Sequence, residues 1–194
     1  MSVMLAVLVM LVASGSAFAG PLDTPGATKA LTCAACHGQG GQSPSNTMPI
    51  LAGISTEYFK KAIEDYATGK RPSPEMEPYA KAVKVLGVDE VAGYFAAQKK
   101  EPTPIRADTA AAERGKAAAA PCAICHGPDG RGDAAKTIPD LRGQPPGYLK
   151  SQMLLFKADK RSPGDPNLKV LKALMATIPE PMLDDLAAYF SSVR

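Results

Sequence analysis

The sequence predicts an all-α protein built as two tandem units, and three observations carry that prediction. Apolar residues recur at helical spacing in matching places of both halves, no alternating run reaches strand length, and the second half repeats the first. His37-Gly38 returns as His126-Gly127 at an offset of 89, with Gly41 and Gly130 in step. At an offset of 90, Pro49-x-Leu51-x-Gly53 returns as Pro139-x-Leu141-x-Gly143, Tyr58 as Tyr148, and Lys70-Arg71 as Lys160-Arg161. Ala92-Gly93-Tyr94-Phe95 matches Ala187-Ala188-Tyr189-Phe190 at an offset of 95, so the second copy carries an insertion between Arg161 and its last helix.

The elements follow in order. Residues 1–19 are an apolar segment closing on Ala17-Phe18-Ala19, the small-x-small pattern of a cleaved export signal. The apolar run 3–13 is short for a spanning helix, so cleavage near Ala19-Gly20 and an oxidising compartment are expected. The first unit is placed at 20–98. Tyr58, Phe59, Ala62, Ile63, Tyr66 and Ala67 make its middle helix, with Thr56 as the expected N-cap. Its closing helix is expected over 88–98, with Val91 and Phe95 inward. The stretch 99–107, which opens Lys99-Lys100-Glu101-Pro102-Thr103-Pro104, reads as a charged, Pro-rich, semi-rigid linker. The second unit is placed at 108–194. An Ala-rich helix over 108–120 leads into Cys122, Tyr148, Leu149, Met153 and Phe156 form a middle helix, and a closing helix over 181–193 turns Leu186 and Phe190 inward.

The formal charge of +3 is spread over both halves, with no basic stripe interleaved with aromatics, which argues against a nucleic-acid partner. The four cysteines of an exported chain would ordinarily suggest disulfides. Here they stand as Cys33-Ala34-Ala35-Cys36-His37 and Cys122-Ala123-Ile124-Cys125-His126. CxxCH is the attachment signature of haem c: two thiols bond one porphyrin edge, and the following imidazole is placed under the iron. A zinc reading leaves each site one ligand short. Two covalently bound haems are therefore expected, on Cys33, Cys36 and His37 and on Cys122, Cys125 and His126.

The chain holds only these two histidines, so the second axial ligand is a Met, a weaker group, or nothing. In the first unit the choice lies between Met48 and Met76. Met48 is matched by Ile138 and reads as an apolar contact, whereas Met76 follows the Lys70-Arg71-Pro72 turn in a Pro-rich loop; Met76 is the expected ligand. In the second unit the register of the last helix sets Leu171 opposite Met76. Met153 lies on an apolar helix face and reads as core. Met175 follows the inserted Gly164-Asp165-Pro166-Asn167 and is the expected ligand; Met182 and an open site are the alternatives. Pro49 and Pro139 are expected beside the histidines, with Leu51 and Leu141 lining the pockets. Arg71 and Arg161 either pair with haem propionates or are exposed surface charges.

At these residues the chain resembles the cytochrome c4 family, class I cytochromes c of two fused domains with one covalent haem each. CHGxxG, Pro-x-Leu-x-Gly then Tyr, Lys-Arg after the middle helix, and Ala-x-Tyr-Phe near each end match in order. The chain is also similar to the dihaem subunit of flavocytochrome c sulfide dehydrogenases. The missing Met at Leu171 is the departure. The resemblance implies a periplasmic one-electron carrier between redox proteins such as a flavoprotein and a membrane oxidase. The other readings are a cytochrome subunit of a sulfide- or thiosulfate-oxidising complex, and a haem enzyme open at its second iron. No acid–base constellation remains for other catalysis, because both histidines are spent and no cysteine is left as a nucleophile.

Overall fold

The computed structural model of the chain describes residues 23–194, and the export segment expected at 1–19 lies outside them. Among the described residues the regular structure is helical, apart from one isolated bridge between Asp133 and Ile138. The helices are α1 (Ala27–His37), α2 (Thr56–Ala67), α3 (Met76–Leu86), α4 (Val88–Ala96), α5 (Thr109–Ala118), α6 (Ala123–His126), α7 (Pro146–Lys157), α8 (Lys169–Thr177) and α9 (Glu180–Ser192). None of them is long and apolar enough to cross a membrane.

They bury two separate cores. The first joins Phe59 and Ile63 of α2, Ala80 and Val83 of α3, and Val91 and Phe95 of α4, with Leu51 below them. The second joins Leu149 of α7 to Leu186, Ala187 and Phe190 of α9. Val91, Phe95, Leu186 and Phe190 are all buried, as their helical spacing predicts.

Local chemistry sets the ends. Ser55, not Thr56, caps α2: its backbone is extended, and its hydroxyl accepts from Tyr58 N at 3.2 Å, the third helical N–H. Thr56 is already the first helical residue. α1 runs unbroken through the first CxxCH, but in the second unit α5 ends at Ala118 and a 3-10 turn over Ala120–Cys122 precedes α6. Pro121 stands where Thr32 stands in the first unit, and a proline inside a helix lacks the N–H and crowds the preceding turn.

Gly26 and Gly115 let the outer helices of each unit approach closely. A Cβ on Gly26 would run into the carbonyl of Glu90, and one on Gly115 into the carbonyl of Asp185. Beside the second contact, Arg114 donates to Asp185 twice, at 2.9 and 2.7 Å.

The stretch joining the units is docked rather than loose. Gln42 accepts from Glu101 N at 3.1 Å and donates to its carbonyl, and Thr103, only 3% exposed, donates from N to Gly143 O at 2.8 Å.

Candidate functional site

In α1, Cys33, Cys36 and His37 fall at i, i+3 and i+4, so both thiols and the imidazole occupy one face of a single helix. All four cysteines are free thiols; Cys33 and Cys122 are half-buried, Cys36 and Cys125 exposed. Burial pushes the Cys33 and Cys122 thiols up from their ordinary value. Gly38 and Gly127, both in the left-handed region, turn the chain sharply away after each histidine (φ 74° and 75°), a conformation that disfavours side chains.

Each histidine points one nitrogen at the proline expected beside it. His37 Nδ1 lies 2.8 Å from the Pro49 carbonyl, and His126 Nδ1 lies 3.0 Å from the Pro139 carbonyl. A carbonyl only accepts, so Nδ1 carries the proton and Nε2 carries the lone pair. Burial lowers the pKa of both imidazoles, partly offset by these bonds and, at His126, by the Asp140 carboxylate. His37 Nε2 is buried with no hydrogen-bond partner. An orphaned buried acceptor costs about 1–3 kcal/mol unless something claims it, and a metal-bound histidine has this arrangement, one nitrogen on the iron and the other on a carbonyl. The residues therefore fit a haem iron. Zinc fits poorly, because among the described residues no group of three or more His, Cys, Asp or Glu is placed to hold a metal ion.

Met76 is not in a loop. It opens α3, half-buried, and its N donates to Ser73 Oγ at 3.2 Å, which caps that turn. Met48 is also half-buried, in the loop before Pro49. Met153 and Met182 pack against the second core, as read for Met153. Met175 lies in α8, one turn beyond Leu171, and is 3% exposed. Leu51 belongs to the first core and Leu141 packs against the second.

Arg71 and Arg161 are not surface charges: they are 2% and 8% exposed, and they face each other's unit. Arg71 donates to Tyr148 Oη at 2.9 Å and to Gln152 Oε1 at 2.7 and 3.0 Å. Arg161 reaches the same Gln152 Oε1 at 2.8 Å and Tyr58 Oη at 2.9 Å. Arg71 also lies over the Tyr66 ring at 4.5 Å and Arg161 over the Phe156 ring at 4.4 Å. Burial works against the Arg71 charge, and the oxygens of Tyr148, Tyr58 and Tyr66 outweigh it. Burial pushes the Tyr58 hydroxyl up, but the positive charges of Arg161 and Arg71 bring it down to about 7. Two buried guanidiniums held by phenol and amide oxygens make a strongly anion-seeking boundary between the units.

Sequence reasoning missed three residues of this boundary. Asn46, in the first unit, accepts from Gly147 N through Oδ1 and from Tyr148 N through its carbonyl, each at 3.0 Å. Gln144 pairs with the backbone of Ile50, and Gln152 joins the two arginines. The one signal available was Pro145: it occupies the place of the capping Ser55 and has no hydroxyl, so α7 needs a cap from elsewhere.

Comparison with known proteins agrees with this geometry. The cytochrome c family profile matches residues 112–194. The chain is 33% identical to a cytochrome c4 of Thiocapsa roseopersicina over 70% of this chain and 73% of that one. It is 34% identical to a thiosulfate dehydrogenase electron acceptor of Stutzerimonas stutzeri, over 84% of this chain and 80% of that one. Among solved structures, reduced recombinant cytochrome c4 from Pseudomonas stutzeri superposes with a TM-score of 0.79 at 25% identity. That match covers 86% of this chain and 96% of that one.

Proposed function

The chain belongs to the cytochrome c4 family of electron-transfer proteins, and on that premise we propose that it is a periplasmic carrier with two covalent haems. The observation that carries the reading is the buried, unpartnered Nε2 of His37 beside two thiols on one helix face. Haem c, once attached, supplies a one-electron iron couple.

The chain's own residues do the rest. Cys33 and Cys36 would tether one haem, and Cys122 and Cys125 would tether the second. His37 and His126 would offer Nε2 to iron, with Nδ1 fixed on Pro49 and Pro139. Met76 and Met175 would offer a thioether sulfur to the first and second iron, and a thioether ligand raises the potential relative to a second imidazole. Arg71 and Arg161 would receive propionate carboxylates at the boundary, where a guanidinium matches a carboxylate in charge and shape. Within this reading the units are 20–98 and 108–194, joined by 99–107, which accords with the two separate cores. Export with cleavage near Ala19-Gly20 is part of the same proposal.

Mass spectrometry of protein matured in an exporting host tests it. The expected result is a gain of two haem masses and loss of residues 1–19; a gain of one or none overturns the reading.

The likeness to a thiosulfate dehydrogenase electron acceptor favours a second reading, in which the chain takes electrons from a thiosulfate-oxidising dehydrogenase. Pull-down of the native protein separates the two. A stoichiometric dehydrogenase supports the second reading, and free protein reduced and oxidised by several partners supports the first.

A further inference from the structure

Ile50 and Gln144 meet across the boundary between the units, both buried. Ile50 N donates to Gln144 Oε1 at 2.9 Å, and Gln144 Nε2 donates to the Ile50 carbonyl at 2.9 Å. The backbone fixes which amide atom faces which partner, since N–H only donates and C=O only accepts. The Ile50 N–H belongs to the same peptide group as the Pro49 carbonyl, and that carbonyl accepts from His37 Nδ1 at 2.8 Å. One continuous line of hydrogen bonds therefore runs from the second unit to the imidazole of the first.

We propose that Gln144 is a positioning residue that tunes the first haem from across the boundary, by polarising the Pro49–Ile50 peptide against His37. The proposal rests on the haem reading above. An acceptor on the peptide N–H shifts electron density onto the peptide carbonyl, because hydrogen bonds in a chain strengthen one another. The Pro49 oxygen then draws the Nδ1 proton harder, and His37 Nε2 becomes the more basic ligand. A more basic ligand favours ferric iron and lowers the potential.

The second unit lacks this cross-boundary amide, and the charge that acts on His126 is its own unit's Asp140 carboxylate. The residue in step with Gln144 is Ile54, whose side chain has no polar atom and packs against the first core. Asp140, which follows Pro139, turns its carboxylate to Arg142 at 2.8 Å and Lys100 at 3.4 Å. A near-symmetric repeat thus gives its two histidines unequal surroundings, and the first depends on the units staying docked.

The test uses the haem-loaded protein labelled with nitrogen-15 histidine, whose two histidines give one Nδ1–H signal per site. In the reduced, unaltered protein the His37 proton should resonate downfield of the His126 proton. Gln144→Met keeps the volume and removes both bonds. It should move the His37 signal upfield, leave His126 in place, and raise one midpoint potential. The shift expected is roughly threefold in the one-electron equilibrium, near 30 mV at about 59 mV per tenfold. Gln144→Glu keeps an oxygen for Ile50 N–H and should hold the potential at or below the unaltered value. Asn46→Ala removes the side-chain bond to Gly147 N but leaves the Gln144–Ile50 pair and the Pro49–Ile50 peptide in place, and should leave both potentials unchanged. An absent shift in Gln144→Met, equal shifts at both haems, or the same shift in Asn46→Ala overturns the proposal. Missing haem mass, read separately, would count against the haem reading instead.

Discussion

Asn46 of the first unit caps α7 of the second: its Oδ1 accepts from Gly147 N at 3.0 Å while its carbonyl accepts from Tyr148 N at 3.0 Å. The corresponding helix in the first unit is capped from within, by Ser55. The second unit has Pro145 at that place, so its helix end is complete only when the two units are together.

Asn46→Ala should therefore destabilise the protein by about 1 kcal/mol, the usual cost of an N-cap. Ser55→Ala should cost a similar amount. Differential scanning calorimetry checks both, and the Asn46 loss should vanish in a first unit unfolded apart from the second.

Two glycines in outer helices should respond oppositely to alanine. At Gly115 a Cβ collides with the Asp185 carbonyl, so Gly115→Ala forces α5 off α9 and should cost about 1–3 kcal/mol. Gly93, inside α4, has open space around it, so Gly93→Ala should stabilise by roughly 0.5–1 kcal/mol. Chemical denaturation of the two variants reads the contrast.

Met76→His should lower the potential of one haem and remove its long-wavelength sulfur-to-iron absorption band. Met48→Leu should leave that band intact. Loss of the band in Met48→Leu would exchange the two roles.

With Met175 on the second iron, the reduced protein should be six-coordinate at both haems and slow to take up carbon monoxide. Met175→Ala should create one carbon-monoxide-binding haem. Met182→Ala should leave both spectra unchanged and cost about 2 kcal/mol of stability, because Met182 packs against the second core. Uptake of one equivalent by the unaltered protein at neutral pH would point to an open second site.

The features legible in the chain were local ones. The CxxCH runs put thiols and imidazole on one helix face whatever surrounds them, and the period of Val91, Phe95, Leu186 and Phe190 named the buried faces. Pro49 and Pro139 were legible as neighbours of the histidines because the repeat kept a Pro-x-Leu-x-Gly run 12 residues after His37 and 13 after His126. The ends of elements were less so. Thr56 and Ser55 are both good caps, and only backbone geometry chose Ser55. Met76, read as a loop residue after two prolines, starts a helix because Ser73 caps the turn before it.

What the sequence by itself determined was the repeat, its helices and the two attachment motifs, because each depends on residues within a few turns of one another. The tertiary structure alone decided what lies between the units. Arg71 and Arg161 could serve as surface charges or buried anion holders with equal local logic, and docking buried them against Tyr148, Tyr58 and Gln152. Gln144 and Ile50 are 94 positions apart, and Asn46 and Gly147 are 101 apart. A polar side chain that bonds a distant backbone leaves no periodic trace in sequence, since its partner is set by how two finished surfaces meet.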